Sequence, residues 1–245
     1  MEKLIQSEIM SLRQAIRAAG PPASNLLAFG IAAMDAALGG GLACGALHEI
    51  AAPRESEMAA AAGFALALAA ERRKPVLWVA EDLALAESGA PHGPGLDAIG
   101  LPPEKLLTVA APKTRDVLWV MEEALRCPAL GAVIGEIRGS ADLVASRRLS
   151  LAAGNTGALA LLLRAAASDE ASAATTRWIV GAAPAAPSPY GPGAPRFAVH
   201  LIRNRRGHPG SWIMEWKNGF VLATDHEPVA APALDRPHRA EKSAA

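Results

Sequence analysis

Short apolar runs alternate with segments of helical spacing through the middle of the chain. Runs of this kind are typical of buried parallel strands. They predict strands over 46–50, 76–80, 132–137, 158–163 and 177–182, and helices over 58–71, 114–126 and 140–153. We expect Thr114 to cap the second helix, and Ser140 and Gly154 to cap and end the third. The alternation predicts an α/β fold, a mostly parallel sheet with helices on both faces.

The last third of the chain has a different pattern. A loop rich in proline and glycine occupies residues 183–195, and strand patterns follow at 197–203, 211–216 and 220–223. A tight turn at 205–210 joins the first two, which predicts antiparallel strands added to the sheet edge. Trp212, Met214 and Trp216 are two positions apart, so they share one strand face, and we assign that face to the core.

The two ends of the chain are predicted to lie outside the α/β domain, which we place at 26–225. Residues 1–20 form a predicted helical arm, and residues 226–245 a flexible tail. The apolar residues of the arm fall on one helical face, which must dock on this domain or on another molecule. They are Ile5, Ile9, Leu12 and Ile16.

Composition excludes several classes of protein. The chain has 245 residues, 51% of them hydrophobic, and a net charge of zero, so total charge gives no argument for a nucleic-acid or membrane partner. Two distant cysteines and six scattered histidines show no metal-ligand spacing, and we predict no metal. No run resembles a signal peptide or is long enough to span a bilayer, so we expect a cytoplasmic protein without membrane contact.

Residues 39–60 have the layout of a phosphate-binding loop. A glycine-rich turn leads into a short strand, then a loop with a proline, then a helix. Such a loop needs glycines whose N–H groups surround the phosphates, a lysine that neutralises them, and a serine or threonine that helps to hold magnesium.

The segment 30–60 resembles the start of the RecA recombinase core. The matching residues are Leu38, Gly39, Gly40, Gly41, Leu42, Gly45, Glu49, Ile50 and Pro53. By this resemblance, Ala52 and Glu57 replace the first and last glycines of the Walker A loop. Met58 stands in place of its lysine and Ala59 in place of its threonine. All four positions that handle phosphate are changed, which implies a protein that is not an ATPase and needs no cofactor.

Glu55 and Glu57 add negative charge where a triphosphate would bind. Two like charges about 4 Å apart repel by about 4 kcal/mol at an effective dielectric constant of about 20. A carboxylate also suits the free N–H groups at a helix start. We therefore hypothesise that Glu57 or Glu55 caps the following helix in place of a phosphate. The alternative is that both side chains point to solvent.

Three further acids follow the strands predicted at 76–80 and 132–137. The resemblance to RecA places a catalytic glutamate at Glu81 or Asp82 and the Walker B acid at Glu136. Magnesium has little reason to stay without its phosphates. We interpret all three as remnants of an ATPase site or as surface residues at strand ends.

A basic cluster occupies the predicted hairpin turn and comprises Arg203, Arg205 and Arg206. By resemblance to RecA-like proteins, Arg203 and Arg205 correspond to a basic pair that reaches a neighbouring subunit's nucleotide. Without a nucleotide they could contact acidic groups of a partner or DNA phosphates, or lie on a solvated turn.

The changed Walker loop, the proline-rich insert, and the R-x-R-x-G and W-x-M-E-W segments together resemble the ImuA family, over roughly residues 3–228. The resemblance implies a non-catalytic accessory protein of damage-induced (SOS) mutagenesis that supports translesion DNA synthesis. It implies a polymerase-like ImuB partner, and links to RecA and an error-prone replicative-type polymerase.

Three alternatives stay open. Because the family is also described as SulA-like, one is an inhibitor of cell division, for which overexpression should give filamentous cells. An active RecA-like ATPase would need a lysine at the position of Met58. A DNA-binding protein would lose affinity when the basic cluster is replaced by alanine.

Overall fold

The computed structural model describes residues 25–186 and 193–223, which contain eleven strands and six helices. The strands are β1 Leu26–Leu27, β2 Leu42–Ala43, β3 Leu47–Ala51, β4 Val76–Glu81, β5 Leu106–Ala111, β6 Ala132–Ile137, β7 Leu159–Arg164, β8 Thr176–Ala183, β9 Arg196–Asn204, β10 Gly210–Trp216 and β11 Phe220–Leu222. The helices are α1 Ala32–Ala37, α2 Met58–Ala70, α3 Asp82–Ser88, α4 Gly93–Ala98, α5 Thr114–Leu125 and α6 Leu143–Thr156. Short 3₁₀ turns lie at Glu55–Glu57 and Pro103–Lys105.

Nine strands form one mixed sheet in the order β11-β10-β9-β8-β3-β7-β6-β4-β5. The strands from β8 to β5 are parallel to their neighbours. The strands β9, β10 and β11 are added antiparallel beyond β8. This confirms the predicted fold class, including the antiparallel C-terminal edge. β1 and β2 form a separate antiparallel pair.

Two hydrophobic clusters cover the two faces of the sheet. The cluster that includes α2 also contains a group of aromatic rings, and the centroids of Phe64 and Phe220 are 5.2 Å apart. α2 is apolar on nearly all sides, and most of its residues are buried. α5 and α6 belong to the second cluster. Trp216 and Met214 are buried and Trp212 packs against the first cluster, as their spacing predicts.

α6 begins and ends three residues later than the sequence pattern predicts. The side chain of Asp142 accepts a hydrogen bond from the Ala145 N–H at 2.7 Å, so Asp142 is the cap in place of Ser140. Gly157 ends the helix in the left-handed conformation at φ 73°, in place of Gly154. The carboxylate of Asp142 satisfies one of the free N–H groups of the first turn, so the helix begins after it.

The segment from 82 to 111 holds three elements that the sequence pattern does not predict: α3, α4 and β5. β5 is the edge strand next to β4, and most of its residues are partly or fully exposed. Its sequence, LLTVAA, is nearly all apolar, so this strand was missed although the sequence carries a signal for it.

The predicted arm and its apolar residues Ile5, Ile9, Leu12 and Ile16 lie outside the described residues, as does the predicted tail. Within the two described ranges, no helix is long and apolar enough to cross a membrane.

Candidate functional site

The loop between β3 and α2 is a tight turn whose apolar residues point into the protein. Ala52 is fully buried, and Met58 has an exposed fraction of 6% and belongs to the core cluster around α2. Between them, the Glu57 N–H donates to the Arg54 carbonyl at 2.9 Å and closes a 3₁₀ turn. The position of the Walker lysine is therefore occupied by a side chain that packs away from the loop. Ala59 is exposed.

Glu57 turns away from α2 and towards β8. Its Oε2 accepts a hydrogen bond from the Ala182 N–H at 3.1 Å, and its Oε1 lies 2.6 Å from Arg54 Nη2. Glu57 is the N-cap residue of α2, but its side chain makes no capping hydrogen bond. The hypothesis that Glu57 or Glu55 caps the helix is therefore wrong. The alternative that both side chains point to solvent is wrong for Glu57, whose side chain is only 15% exposed, whereas the side chain of Glu55 is 73% exposed.

The carboxylate of Glu57 depends on a glycine in the neighbouring strand. A Cβ added to Gly181 would collide with Glu57 Oε2 and lie 2.9 Å from Cγ of Pro53. Only a residue without a side chain leaves this space to the carboxylate. The role of Gly181 could not be read from the sequence, because the two segments are more than 120 positions apart.

Arg138 is the base at the centre of this site, and sequence reasoning missed it. It follows β6, and its side chain is 16% exposed. Its guanidinium pairs with the carboxylate of Glu55 and, from Nη2, with Oε2 of Glu87 at 3.1 Å. The basic group that counters the acids of this site thus comes from the end of β6.

Glu81 ends β4 and is tied to the surrounding loops. Its Oε1 accepts hydrogen bonds from Thr114 Oγ1 at 2.6 Å and from the Arg138 N–H at 2.8 Å. Thr114 in turn accepts from the Gly139 N–H at 3.2 Å. The prediction that Thr114 is the N-cap of α5 is wrong, because Lys113 occupies the cap position and Thr114 is engaged with Glu81.

Glu136 is buried within β6, with an exposed fraction of 6%, so it is not a surface residue. Burial raises the pKa of its carboxyl above the ordinary value, Arg138 opposes that shift, and Glu81 adds to it. Asp82 is the first residue of α3 and is exposed.

These residues do not fit magnesium and a nucleoside triphosphate. The loop has no lysine directed towards the site, Met58 is part of the core, and the Glu57 carboxylate fills the space against Gly181. Arg138 is already paired with two carboxylates. Within the described parts of the chain, no group of three or more acidic, histidine or cysteine residues could hold a metal ion.

The predicted basic cluster lies at the opposite end of the sheet and divides into two parts. Because β9 runs antiparallel to β8, Asn204 lies opposite Thr176, at the start of β8 and away from the loop after β3. Arg203 and Arg205 are exposed. Arg206 is turned towards the glycine-rich turn before β2, where its guanidinium lies 3.4 Å from the carbonyl oxygen of Gly39. Burial lowers the pKa of Arg206.

The fold places the chain in the RecA-like class. The solved structure of the RadB recombinase aligns with a TM-score of 0.55 over 80% of this chain and 98% of that chain, at 17% sequence identity. No protein-family model matches the chain. Protein ImuA of two Caulobacter vibrioides strains is 34% identical over 236 aligned residues, covering 85% of this chain and 94% of the relative. The chain belongs to the ImuA family.

Proposed function

We propose that this chain is a non-catalytic accessory protein of damage-induced mutagenesis that supports translesion DNA synthesis. In this proposal its partners are a polymerase-like ImuB protein, RecA and an error-prone replicative-type polymerase. Membership of the ImuA family supports the assignment. In this proposal, the RecA-like domain is the scaffold on which the partner proteins dock.

One observation carries the non-catalytic part of the proposal. The Glu57 carboxylate accepts the Ala182 N–H and fills the space beside Gly181, in the loop that would otherwise surround phosphates. Within the chain, Glu57 pairs with Arg54, and Glu55 pairs with Arg138. The carboxylates of Glu55 and Glu57 would repel a triphosphate, and Met58 offers it no positive charge.

The test is a native mass measurement of the full chain mixed with the ImuB-like protein of the same organism, with and without ATP and magnesium. We expect a stoichiometric complex whose amount does not change with ATP. Titration of the chain with a fluorescent ATP analogue should give no saturation, with a RecA protein as the binding control. A complex that forms only with ATP, or micromolar ATP binding, would overturn the proposal.

Two deletions serve as each other's control. We place the RecA contact in the N-terminal arm and the ImuB-like contact in the C-terminal part. Deletion of 1–20 should then remove binding to RecA and leave the ImuB-like complex intact, and deletion of 226–245 should weaken only the ImuB-like complex. Thermal unfolding of each variant establishes that the α/β domain is retained. If each deletion affected the other partner, the placement would be wrong.

A further inference from the structure

Three exposed arginines from distant parts of the chain carry no ion pair among the described residues. Arg203 and Arg205 lie at the end of β9, and Arg147 lies on the outer side of α6. The neighbouring Arg148 is also exposed but is paired with an acid: its Nη2 lies 2.7 Å from Oε2 of Glu122. We call Arg147, Arg203 and Arg205 the arginine patch.

The loop before β8 joins α6 to the end of β9. Nη2 of Arg205 donates to the Ser172 carbonyl at 2.7 Å. One residue further along the loop, the Ala173 N–H donates to Oγ of Ser146 at 3.0 Å, and Ser146 directly precedes Arg147. These bonds bring the two arginine-bearing segments side by side and hold Arg205 in place.

Glu49, a buried acid near the patch, already has partners within the chain. Glu49 is buried, and its Oε2 lies 2.8 Å from Nε of Arg177 while its Oε1 accepts the hydroxyl of Ser172 at 2.5 Å. Arg203 lies opposite Arg177 across β8 and β9, so a fourth guanidinium adjoins the patch. Burial, followed by the charges of Arg203, Arg177 and Arg147, lowers the pKa of Arg205. The patch therefore keeps an uncompensated positive charge in a chain whose net charge is zero.

We infer that the arginine patch binds the phosphodiester backbone of nucleic acid. Guanidinium groups donate paired hydrogen bonds to phosphate oxygens. Polar groups lie beside the two arginines of β9: Asn204 is partly buried, His208 is exposed, and Ser172 presents its carbonyl. Beside Arg147 on α6, Val144 and Leu151 add exposed apolar surface. Nucleic-acid interfaces are much more positively charged than protein–protein interfaces, and the charge of the three guanidinium groups is the feature that favours a phosphate backbone here. This inference does not depend on the proposed accessory role.

The test measures binding of the full chain to a fluorescein-labelled 20-nucleotide oligothymidylate by fluorescence anisotropy at several salt concentrations. For a single strand, the slope of log K against log salt changes by about 0.7 for each phosphate contact. The triple variant Arg147→Ala, Arg203→Ala and Arg205→Ala should therefore lower the magnitude of the slope by about 2. Its affinity at low salt should fall at least about tenfold, since each lost contact removes counterion release.

The matched control is Arg115→Ala, Arg126→Ala and Arg148→Ala, which makes the same change in net charge at exposed arginines that are paired with acids. It should keep the salt slope of the unaltered chain. If Arg205→Ala unfolds the protein, the pair Arg147→Ala and Arg203→Ala should lower the slope by about 1.4. No binding at low salt, equal slopes in both triple variants, or tighter binding of polyglutamate than of the oligonucleotide would overturn the inference; the last result would assign the patch to an acidic protein segment.

Discussion

The carboxylate of Glu57 and the backbone N–H of Ala182 are joined by a hydrogen bond of 3.1 Å. This hydrogen bond connects the turn between β3 and α2 to the end of β8. β8 is the neighbour of β3 in the sheet. In a phosphate-binding loop the free N–H groups face a ligand. Here the side chain of the loop turns to a strand of the same chain, and Gly181 provides the room for it.

The contact between Gly181 and Glu57 predicts strong coupling. Gly181→Ala should lower the free energy of unfolding by about 1–3 kcal/mol, because the new methyl group collides with the carboxylate in a packed region. In a Glu57→Ala background the loss should be smaller by at least about 0.5 kcal/mol. Urea unfolding of the four proteins of this double-mutant cycle measures the coupling. Additive losses would contradict the contact.

The burial of Met58 predicts the effect of placing a lysine at this position, where the Walker A loop has one. Met58→Lys should destabilise the protein by more than about 3 kcal/mol, because a charge enters the core without a partner. It should restore no ATP binding. The control is Ala59→Lys at the neighbouring exposed position, which should stay within about 0.5 kcal/mol. Thermal unfolding and the ATP titration check both parts; similar losses in the two variants would show that Met58 does not point into the core.

Arg138 predicts a salt-dependent contribution to stability. Arg138→Met removes the ion pairs with Glu55 and Glu87. It keeps the hydrogen bond from the backbone N–H of residue 138 to Glu81. Since both partner carboxylates are mostly exposed, the loss should be about 1 kcal/mol and should shrink in high salt. Arg115→Met, at an arginine whose side chain is 82% exposed, is the control and should have little effect. Denaturant unfolding at low and high salt gives the comparison, and a loss that is independent of salt would exclude an electrostatic role.

The buried carboxyl of Glu136 predicts a pH dependence. Its pKa is raised above the ordinary value of 4.5, so the folded protein favours the neutral form, and stability is lost as the pH rises from 4.5 through the folded pKa. Glu136→Gln should therefore be more stable than the unaltered chain at pH 7.5. The gap should close as the pH falls below 4.5. Urea unfolding across this range tests the sign, and a variant less stable at pH 7.5 would show that the charged form is required.

His48 predicts the opposite pH dependence. It is buried between Oγ1 of Thr176 at 2.7 Å and the Ala43 carbonyl at 2.8 Å, and burial lowers its pKa from 6.5 to about 4. The contribution of neutral His48 to the free energy of unfolding is complete above pH 6.5. It is lost as the pH falls towards 4, by up to about 1.4 kcal/mol per pH unit. His48→Gln should flatten this slope. His200→Gln is the control, because the pKa of His200 is also lowered but the side chain is less deeply buried. An unchanged slope in His48→Gln would assign the acid sensitivity to other groups.

The apolar pattern by itself determined the fold class. The buried strands β3, β4, β6 and β7 are mostly apolar, because both faces of a parallel sheet are covered, and their positions follow from the sequence to within one residue. The loss of the phosphate-handling residues at 52, 57, 58 and 59 was also visible in the sequence, because that loop is local.

Only the tertiary structure decided how the changed loop is used. Glu57 bonds to Ala182, Arg138 pairs with Glu55 and Glu87, and Arg147 lies beside Arg205, and in each case the partners come from separate elements. Local pattern carries information about periodicity, whereas these pairings depend on the order of strands in the sheet. From the local sequence, Glu57 at the start of a helix suits a capping role. In the folded sheet β8 lies beside β3, and Glu57 accepts the N–H of Ala182 at the end of β8 instead.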